Sequence, residues 1–275
     1  MRSTTLMRLA VISAAAIACN EPSAPTGSQP TGPQFITNGV PTGTDFGAVG
    51  ALLFDFAADG SLDGLCTGSL IDPTVFLTAA HCLFALPPIV QLYVTFDPAL
   101  SLPPGPLIPV VAFHFHPDFR QDDDAITVND LGVVSLPPGA TSGITPLQLP
   151  PAGHLDQLAA HGGLRGQLFL NVGYGASASS RGPRSLSFDG VRRVSKSAFK
   201  GIASDWLGLL MNGHATGEGG VCLGDSGGPK FLEGSPNMVL AVTSWVDAAC
   251  RATNFNQRVD TPSARAFLGQ FLSLP

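Results

Sequence analysis

The chain has 275 residues, 44% of them hydrophobic and only 12% charged, with a formal net charge of −6. This length suits one large or two small cores at roughly 150 residues per domain, and so hydrophobic a composition excludes an intrinsically disordered chain. No apolar run reaches the roughly 18 residues that cross a bilayer as a helix, which argues against a polytopic membrane protein, and the acidic balance argues against a nucleic-acid partner. With 32 glycines and 24 prolines among few charged helix formers, the chain is expected to be rich in turns and short strands.

Residues 1–19 read as an export signal: Arg2 and Arg8 are followed by the uncharged apolar stretch Leu9 to Ala18, too short to span. The sequence Ala15-Ala16-Ile17-Ala18-Cys19 resembles the lipobox of bacterial lipoproteins, which implies lipidation of Cys19 and an anchor in a membrane. Parity supports this, because five cysteines leave one over in an exported protein. With Cys19 set aside, Cys66, Cys82, Cys222 and Cys250 remain as an even set. The alternative is an ordinary signal peptide with Cys19 in or beside the discarded part. Residues 20–35, with four prolines and almost nothing apolar, read as an extended tether or propeptide.

From Phe35 onward, short apolar runs alternate with turn clusters such as Asp59-Gly60, Asp72-Pro73 and Pro103-Pro104-Gly105. Strands are predicted at Val49 to Phe54, Cys66 to Ile71, Val75 to Ala80, Gln91 to Phe96, Ile108 to Phe115 and Leu131 to Leu136. A second set follows at Leu168 to Val172, Val191 to Ser195, Leu207 to Met211, Lys230 to Leu232 and Met238 to Trp245. The pattern implies an all-β barrel or sandwich architecture in two halves. One helix is predicted, at the C-terminus: Thr261 caps it, Pro262 takes its first position, and Ala264, Phe267, Leu268, Phe271 and Leu272 form its apolar face.

Three segments carry chemistry: Leu77-Thr78-Ala79-Ala80-His81-Cys82, Asn129-Asp130-Leu131-Gly132-Val133-Val134 and Cys222-Leu223-Gly224-Asp225-Ser226-Gly227-Gly228-Pro229. A serine hydroxyl needs a base within hydrogen-bond reach to become a useful nucleophile. Asp130 competes for the carboxylate role with Asp118, Asp122, Asp123 and Asp124, but it alone directly precedes an apolar strand that would bury it. The run Asp122 to Asp124 reads more simply as a solvated loop. His114 and His116 alternate near a strand end without a third ligand at metal-binding spacing, and His154, His161 and His214 stand alone in Gly-rich surroundings.

In the order His, Asp, Ser, these segments resemble the trypsin/chymotrypsin family of serine endopeptidases, in an exported, bacterial-type form. The resemblance implies two six-stranded antiparallel barrels packed together with a C-terminal helix, the domain covering residues 36–275 with halves at about 36–145 and 146–260. It implies His81, Asp130 and Ser226 as the catalytic triad, with the amides of Gly224 and Ser226 as the oxyanion hole and no cofactor or metal. It places the floor of the substrate pocket at Gly220 and a wall at Ser244, Trp245 and Val246. Because no carboxylate occupies that floor, protein or peptide substrates are expected to be cut after small or medium apolar residues, unless Glu218 or Asp247 intrudes. Four cysteines allow three connectivities; the resemblance implies Cys66 with Cys82 and Cys222 with Cys250. The segment Ile36-Thr37-Asn38-Gly39 resembles the start of a mature enzyme of the family, which implies an activating protease cutting before Ile36 and an ion pair between the freed α-amine and Asp225. The alternative reading is a catalytically silent homologue that serves as a binding or adhesion module. An α/β-hydrolase esterase is excluded, because there Ser precedes Asp and His in the chain.

Overall fold

The computed structural model describes residues 39–101, 105–121, 127–178, 186–212 and 216–275. The expected signal, tether, Cys19 and Ile36 lie outside the described residues, as do Asp122, Asp123, Asp124, Gly213 and His214. Among the described residues no helix is long and apolar enough to cross a membrane.

The N-terminal half contains β1 (Val40–Pro41), β2 (Val49–Asp55), β3 (Gly64–Asp72), β4 (Val75–Thr78), β5 (Gln91–Thr95), β6 (Ile108–Pro109) and β7 (Ala112–Phe115). The short pair β8 (Arg120–Gln121) and β9 (Thr127–Val128) follows, and then β10 (Gly132–Ser135). A seven-stranded antiparallel sheet forms in the order β6-β5-β2-β3-β4-β10-β7. Every position of β2 is buried, which accounts for its continuous apolar sequence where a half-buried strand would alternate. Val49, Leu52 and Phe54 enter the main core with Phe76, Leu77 and Val133, while Ala51 and Leu53 pack with Tyr174 of the C-terminal half.

The stretch predicted as one strand, Ile108 to Phe115, is divided into β6 and β7. Pro109 has no N–H for a ladder, and beyond it Val110 N donates to Leu92 O at 2.9 Å while Val111 N donates to Ser135 O at 2.9 Å. The first part therefore bonds to β5 and the second to β10. Both edges of the sheet lie on this one stretch, and the sheet curls back on itself.

The C-terminal half begins with α1 (His154–Ala160) and continues through β11 (Leu168–Gly173), the pair β12 (Ser177–Ala178) and β13 (Leu186–Ser187), β14 (Arg193–Ile202) and β15 (Trp206–Leu210). The strands β16 (Pro229–Leu232), β17 (Ala241–Val246) and β18 (Thr253–Arg258) and the helix α2 (Pro262–Leu268) complete it. The order β14-β11-β16-β17-β18-β15 is closed by pairing of β15 back onto β14, which makes a barrel of six strands, and β1 adds to β14 from outside the ring. The face of this sheet carrying Leu170, Val172, Phe231 and Val242 joins the main core. The opposite, inward face carries Phe169, Leu207, Leu209 and Ala241. Register puts Asn171, Ser195, Lys230, Thr243, Asn254 and Asn256 on that same inward face, all buried.

The structure departs from the sequence prediction at several ends. The segment Val75 to Ala80 stops at Thr78, and a 3₁₀ turn spans Ala80–Cys82. The strand predicted at Val191 starts at Arg193 and runs on to Ile202, and the one predicted from Met238 starts at Ala241. The short strands β1, β8, β9, β12 and β13 were not predicted, nor were two longer elements, α1 and β18. α1 has Gly153 in a left-handed conformation before it and no side-chain cap; the Leu155 amide donates instead to Asp260 Oδ2 at 2.8 Å, 105 residues away. β18 reads Thr-Asn-Phe-Asn-Gln-Arg because its inward side chains are asparagines. α2 is capped by Thr261, whose Oγ1 accepts from Ala264 N at 3.2 Å, and it buries Ala264, Phe267 and Leu268. It ends at Leu268, so Phe271 and Leu272 pack as partly buried residues beyond the helix.

Candidate active site

His81 stands in the middle of the 3₁₀ turn that follows β4, and the neighbouring Cys82 is bonded to Cys66 on β3. Asp130 comes just before β10, which pairs with β4, so two adjacent strands deliver the imidazole and the carboxylate to one end of the sheet. The Asp130 side chain is inaccessible to solvent, and that of His81 is 23% exposed. Asp130 Oδ2 lies 2.8 Å from His81 Nδ1, and Oδ1 accepts from the His81 amide at 2.9 Å. The Ser244 hydroxyl also donates to Oδ2. Burial works against the Asp130 charge, but the charge and hydrogen bonds of His81 together with the Ser244 hydroxyl outweigh it and hold the carboxyl below the ordinary range. Asp130 N donates to Gln257 Oε1 at 3.1 Å, so β17 and β18 of the C-terminal barrel buttress a carboxylate that belongs to the other half.

The segment from Cys222 to Pro229 forms the facing loop, tied by the bond between Cys222 and Cys250. Gly224 and Gly227 adopt φ of +96° and +83°, a region closed to most side chains. At Gly227 a Cβ would also meet Thr78 Oγ1 at 2.1 Å and Thr67 O at 2.3 Å. Thr67 of β3 clamps the loop: its amide donates to Ser226 O at 2.8 Å and its hydroxyl to Gly224 O at 2.9 Å. Within the loop the amides of Asp225, Gly227 and Gly228 donate to Cys222 O, Thr243 O and Asp225 O. Those of Gly224 and Ser226 have no protein acceptor among the described residues.

Asp225 is fully buried beneath this loop, its Oδ1 accepting from Gly175 N and its Oδ2 from Cys222 N, both at 2.8 Å. Burial pushes its carboxyl upward, against the pull of those amides and of Lys230.

His81 and Ser226 line one cavity of about 250 Å³ together with Gln121, Cys222, Leu223, Thr243, Ser244, Trp245 and Val246. Trp245 is stacked on Phe255 at 4.1 Å. Gly220, the expected floor, does not line this cavity: a Cβ there would lie 1.9 Å from Met211 Sδ, so the methionine fills the space beneath it. Asp247 does not intrude, since its carboxylate accepts the amides of Ala249, Arg251, Ala252 and Thr253. Across Leu223 lies a larger apolar cavity of about 620 Å³, lined in part by Leu53, Leu65, Leu100, Phe188 and Gly224. Cys66, His81 and Cys82 cluster within 4.8 Å, but both sulfurs are committed to a disulfide and offer no thiolate to a metal. His114 and His116 serve packing, against Phe271 and Phe267.

The structure thus brings His81 and Asp130 into contact and sets Ser226 on the wall of a cavity that His81 also lines. Ser244 and Trp245 have further parts, a bond to the carboxylate and a stack on Phe255. Sequence reading missed Thr67, Met211, Phe255 and Gln257. The last two lie on β18, whose polar composition hid it, and Thr67 has no motif of its own.

The profile of the family described as Trypsin matches residues 53–267. Among solved structures, the chain superposes on HL collagenase with a TM-score of 0.64 at 21% identity, over 85% of this chain and 96% of that one. A mutant of human heparin binding protein gives 0.62 at 20% identity, over 86% and 96%. Human heparin binding protein itself gives 0.60 at 18% identity, over 87% and 99%. At these identities the structural likeness speaks for the fold. No curated protein matches the sequence.

Proposed function

The chain belongs to the trypsin family, and on that premise we propose that it is an exported serine endopeptidase. The observation that carries the reading is the 2.8 Å contact of His81 Nδ1 with a buried, ionised Asp130, beside a cavity that His81 shares with Ser226. With Nδ1 held by the carboxylate, Nε2 is the nitrogen left to take the Ser226 proton. Asp130 then stabilises the imidazolium while the serine oxygen attacks the peptide carbonyl. The amides of Gly224 and Ser226, uncommitted among the described residues, are the donors for the oxyanion, each of a kind worth about 2.7–4 kcal/mol to the chemical step. His81 returns the proton to the leaving amine, and water hydrolyses the acyl-enzyme.

Val246 stands on the wall of the cavity and no carboxylate among the described residues lines it, which supports cleavage after small or medium apolar residues. Two disulfides fit an oxidising compartment, and with the lipobox-like sequence they support export and a lipid anchor at Cys19. Cleavage between that anchor and residue 39 would release the domain. The likeness to heparin binding protein does not bring a heparin site with it, because a net charge of −6 disfavours a polyanion. Labelling by a fluorophosphonate tests the proposal: modification is expected at Ser226 and is lost in Ser226→Ala. A folded protein that never labels would instead favour the silent binding module.

A further inference from the structure

Lys230 is the largest polar oddity outside the triad. It sits on β16 inside the C-terminal barrel, with no accessible surface, and its Nζ reaches no hydrogen-bond acceptor among the described residues. An ammonium stripped of water and left without a partner is costly enough that a neighbouring charge must offset it. Register identifies the neighbour. Lys230 lies directly across from Asn171 on β11, and two residues along the same face of β11 comes Gly173. There a Cβ would collide with Asp225 Oδ1 at 2.2 Å; at Gly175 a Cβ would collide with Oδ2 at 2.3 Å. The Asp225 carboxylate therefore occupies the place of a missing side chain on the inward face of β11, one strand repeat from the position flanked by Lys230. Asn171, whose Oδ1 is another buried atom without a partner among the described residues, sits opposite Lys230 and two residues from Gly173 on the same face. Burial drives the Lys230 ammonium toward neutrality and Asp225 resists it.

We propose that Lys230 is the built-in counter-charge of Asp225, so that the loop presenting Gly224 and Ser226 is set in its working shape without a freed N-terminus. Both Asp225 oxygens are already taken by the Gly175 and Cys222 amides. Lys230 acts across the barrel interior, where a low dielectric makes a charge felt beyond contact distance. It is a positioning residue: it keeps Asp225 ionised, and Asp225 keeps the loop closed. A cut before Ile36 then releases the domain from its tether but does not switch it on. The inference rests on the protease reading, and the test separates the two.

Full-length chain carrying Ile36→Pro, which resists cleavage at that bond, is compared with the unaltered chain, the intact bond being verified by mass. Fluorophosphonate labelling of Ser226 in the uncut chain is expected within about threefold of the unaltered protein. Adding Lys230→Met is expected to slow labelling by about tenfold or more, an uncompensated buried carboxylate being left behind, and Lys230→Arg is expected to restore much of it. An uncut chain that labels poorly while cut chain labels well overturns the inference and leaves the protease standing, as does a Lys230→Met chain that labels normally. If no form labels, the protease reading fails, and melting of Lys230→Met, Asp225→Asn and the double variant decides whether the pair exists. The double variant melting no lower than Lys230→Met supports the pair, and simple additivity of the two losses overturns it.

Discussion

The two halves of the molecule solve the same architectural problem with different interiors. The N-terminal sheet curls around Leu52, Phe76, Leu77, Val133 and their apolar neighbours. The C-terminal barrel encloses Asn171, Ser195, Ser197, Lys230, Asn254 and Asn256 beside a small apolar cluster. The first half supplies the imidazole and its carboxylate, which need a rigid, dry seat. The second supplies the loop bearing Ser226, which rests on a buried carboxylate and therefore needs a polar interior behind it. The division of labour at the site is visible in what each half buries.

The largest effect is expected where the halves meet. Asp130→Asn removes the charge that the N-terminal half contributes while keeping most of the contacts with Ser244 and Gln257. The amide favours the wrong imidazole tautomer, and kcat is expected to fall by about 10⁴-fold, the scale associated with such a change in a triad. Steady-state kinetics on an ester substrate with unchanged far-UV dichroism would check it. A loss of less than tenfold would mean that Asp130 does not orient His81 in the reaction.

Phe76→Ala probes the apolar interior. The ring is fully buried, fills the space left by Gly50 and Gly68, and meets Phe96 edge-on at 5.9 Å. Its removal leaves a cavity that the surrounding strands cannot collapse into, at a cost of about 3–5 kcal/mol, read from the denaturant midpoint.

The polar interior should respond by a different rule. Asn256 Nδ2 donates to Leu207 O and to Asn254 Oδ1, while Asn254 Nδ2 and Asn256 Oδ1 reach no partner among the described residues. Asn256→Leu alone strands Asn254 and is expected to cost about 1–3 kcal/mol, whereas replacing both asparagines by leucine is expected to change stability by less than about 1 kcal/mol. A double variant clearly worse than the single one would show that the polar interior is needed for folding of the barrel itself, and the contrast between the halves would then be one of stability as well as function.

The same contrast governs what could be read from the sequence. β2 and the apolar parts of β3, β4 and β10 announce themselves because their interior is apolar, and the Thr261-Pro262 cap announces α2. Short motifs around His81, Asp130 and Ser226 mark the candidate site because each is continuous in the chain. β18 stayed hidden because apolar periodicity is blind to a strand that buries asparagines. Gln257, Phe255 and Thr67 stayed hidden because their roles come from register between distant strands. α1 stayed hidden because the acceptor for its first-turn amide, Asp260, arrives from 105 residues away. Lys230 looks like any lysine in a short strand until closure of the barrel removes it from water.

The smallest predicted effect sharpens the comparison through two carboxylates that move in opposite directions. Burial wins at Asp225 and raises its pKa. At Asp130 burial loses to His81 and Ser244, and the pKa is lowered. An unfolded aspartate titrates at about 3.9, so the folded state of this chain holds its Asp130 proton less tightly than the unfolded state does. The stabilisation is therefore fully present above about pH 5 and drains away as pH falls through 4 toward the lower folded value. Melting temperatures of the unaltered chain and of Asp130→Asn, measured from pH 7 down to pH 2, are expected to differ by a constant margin near neutrality and to converge in acid. A margin that widens on acidification would mean that burial outweighs the partners at Asp130 as well, and the electrostatic difference between the two halves would disappear.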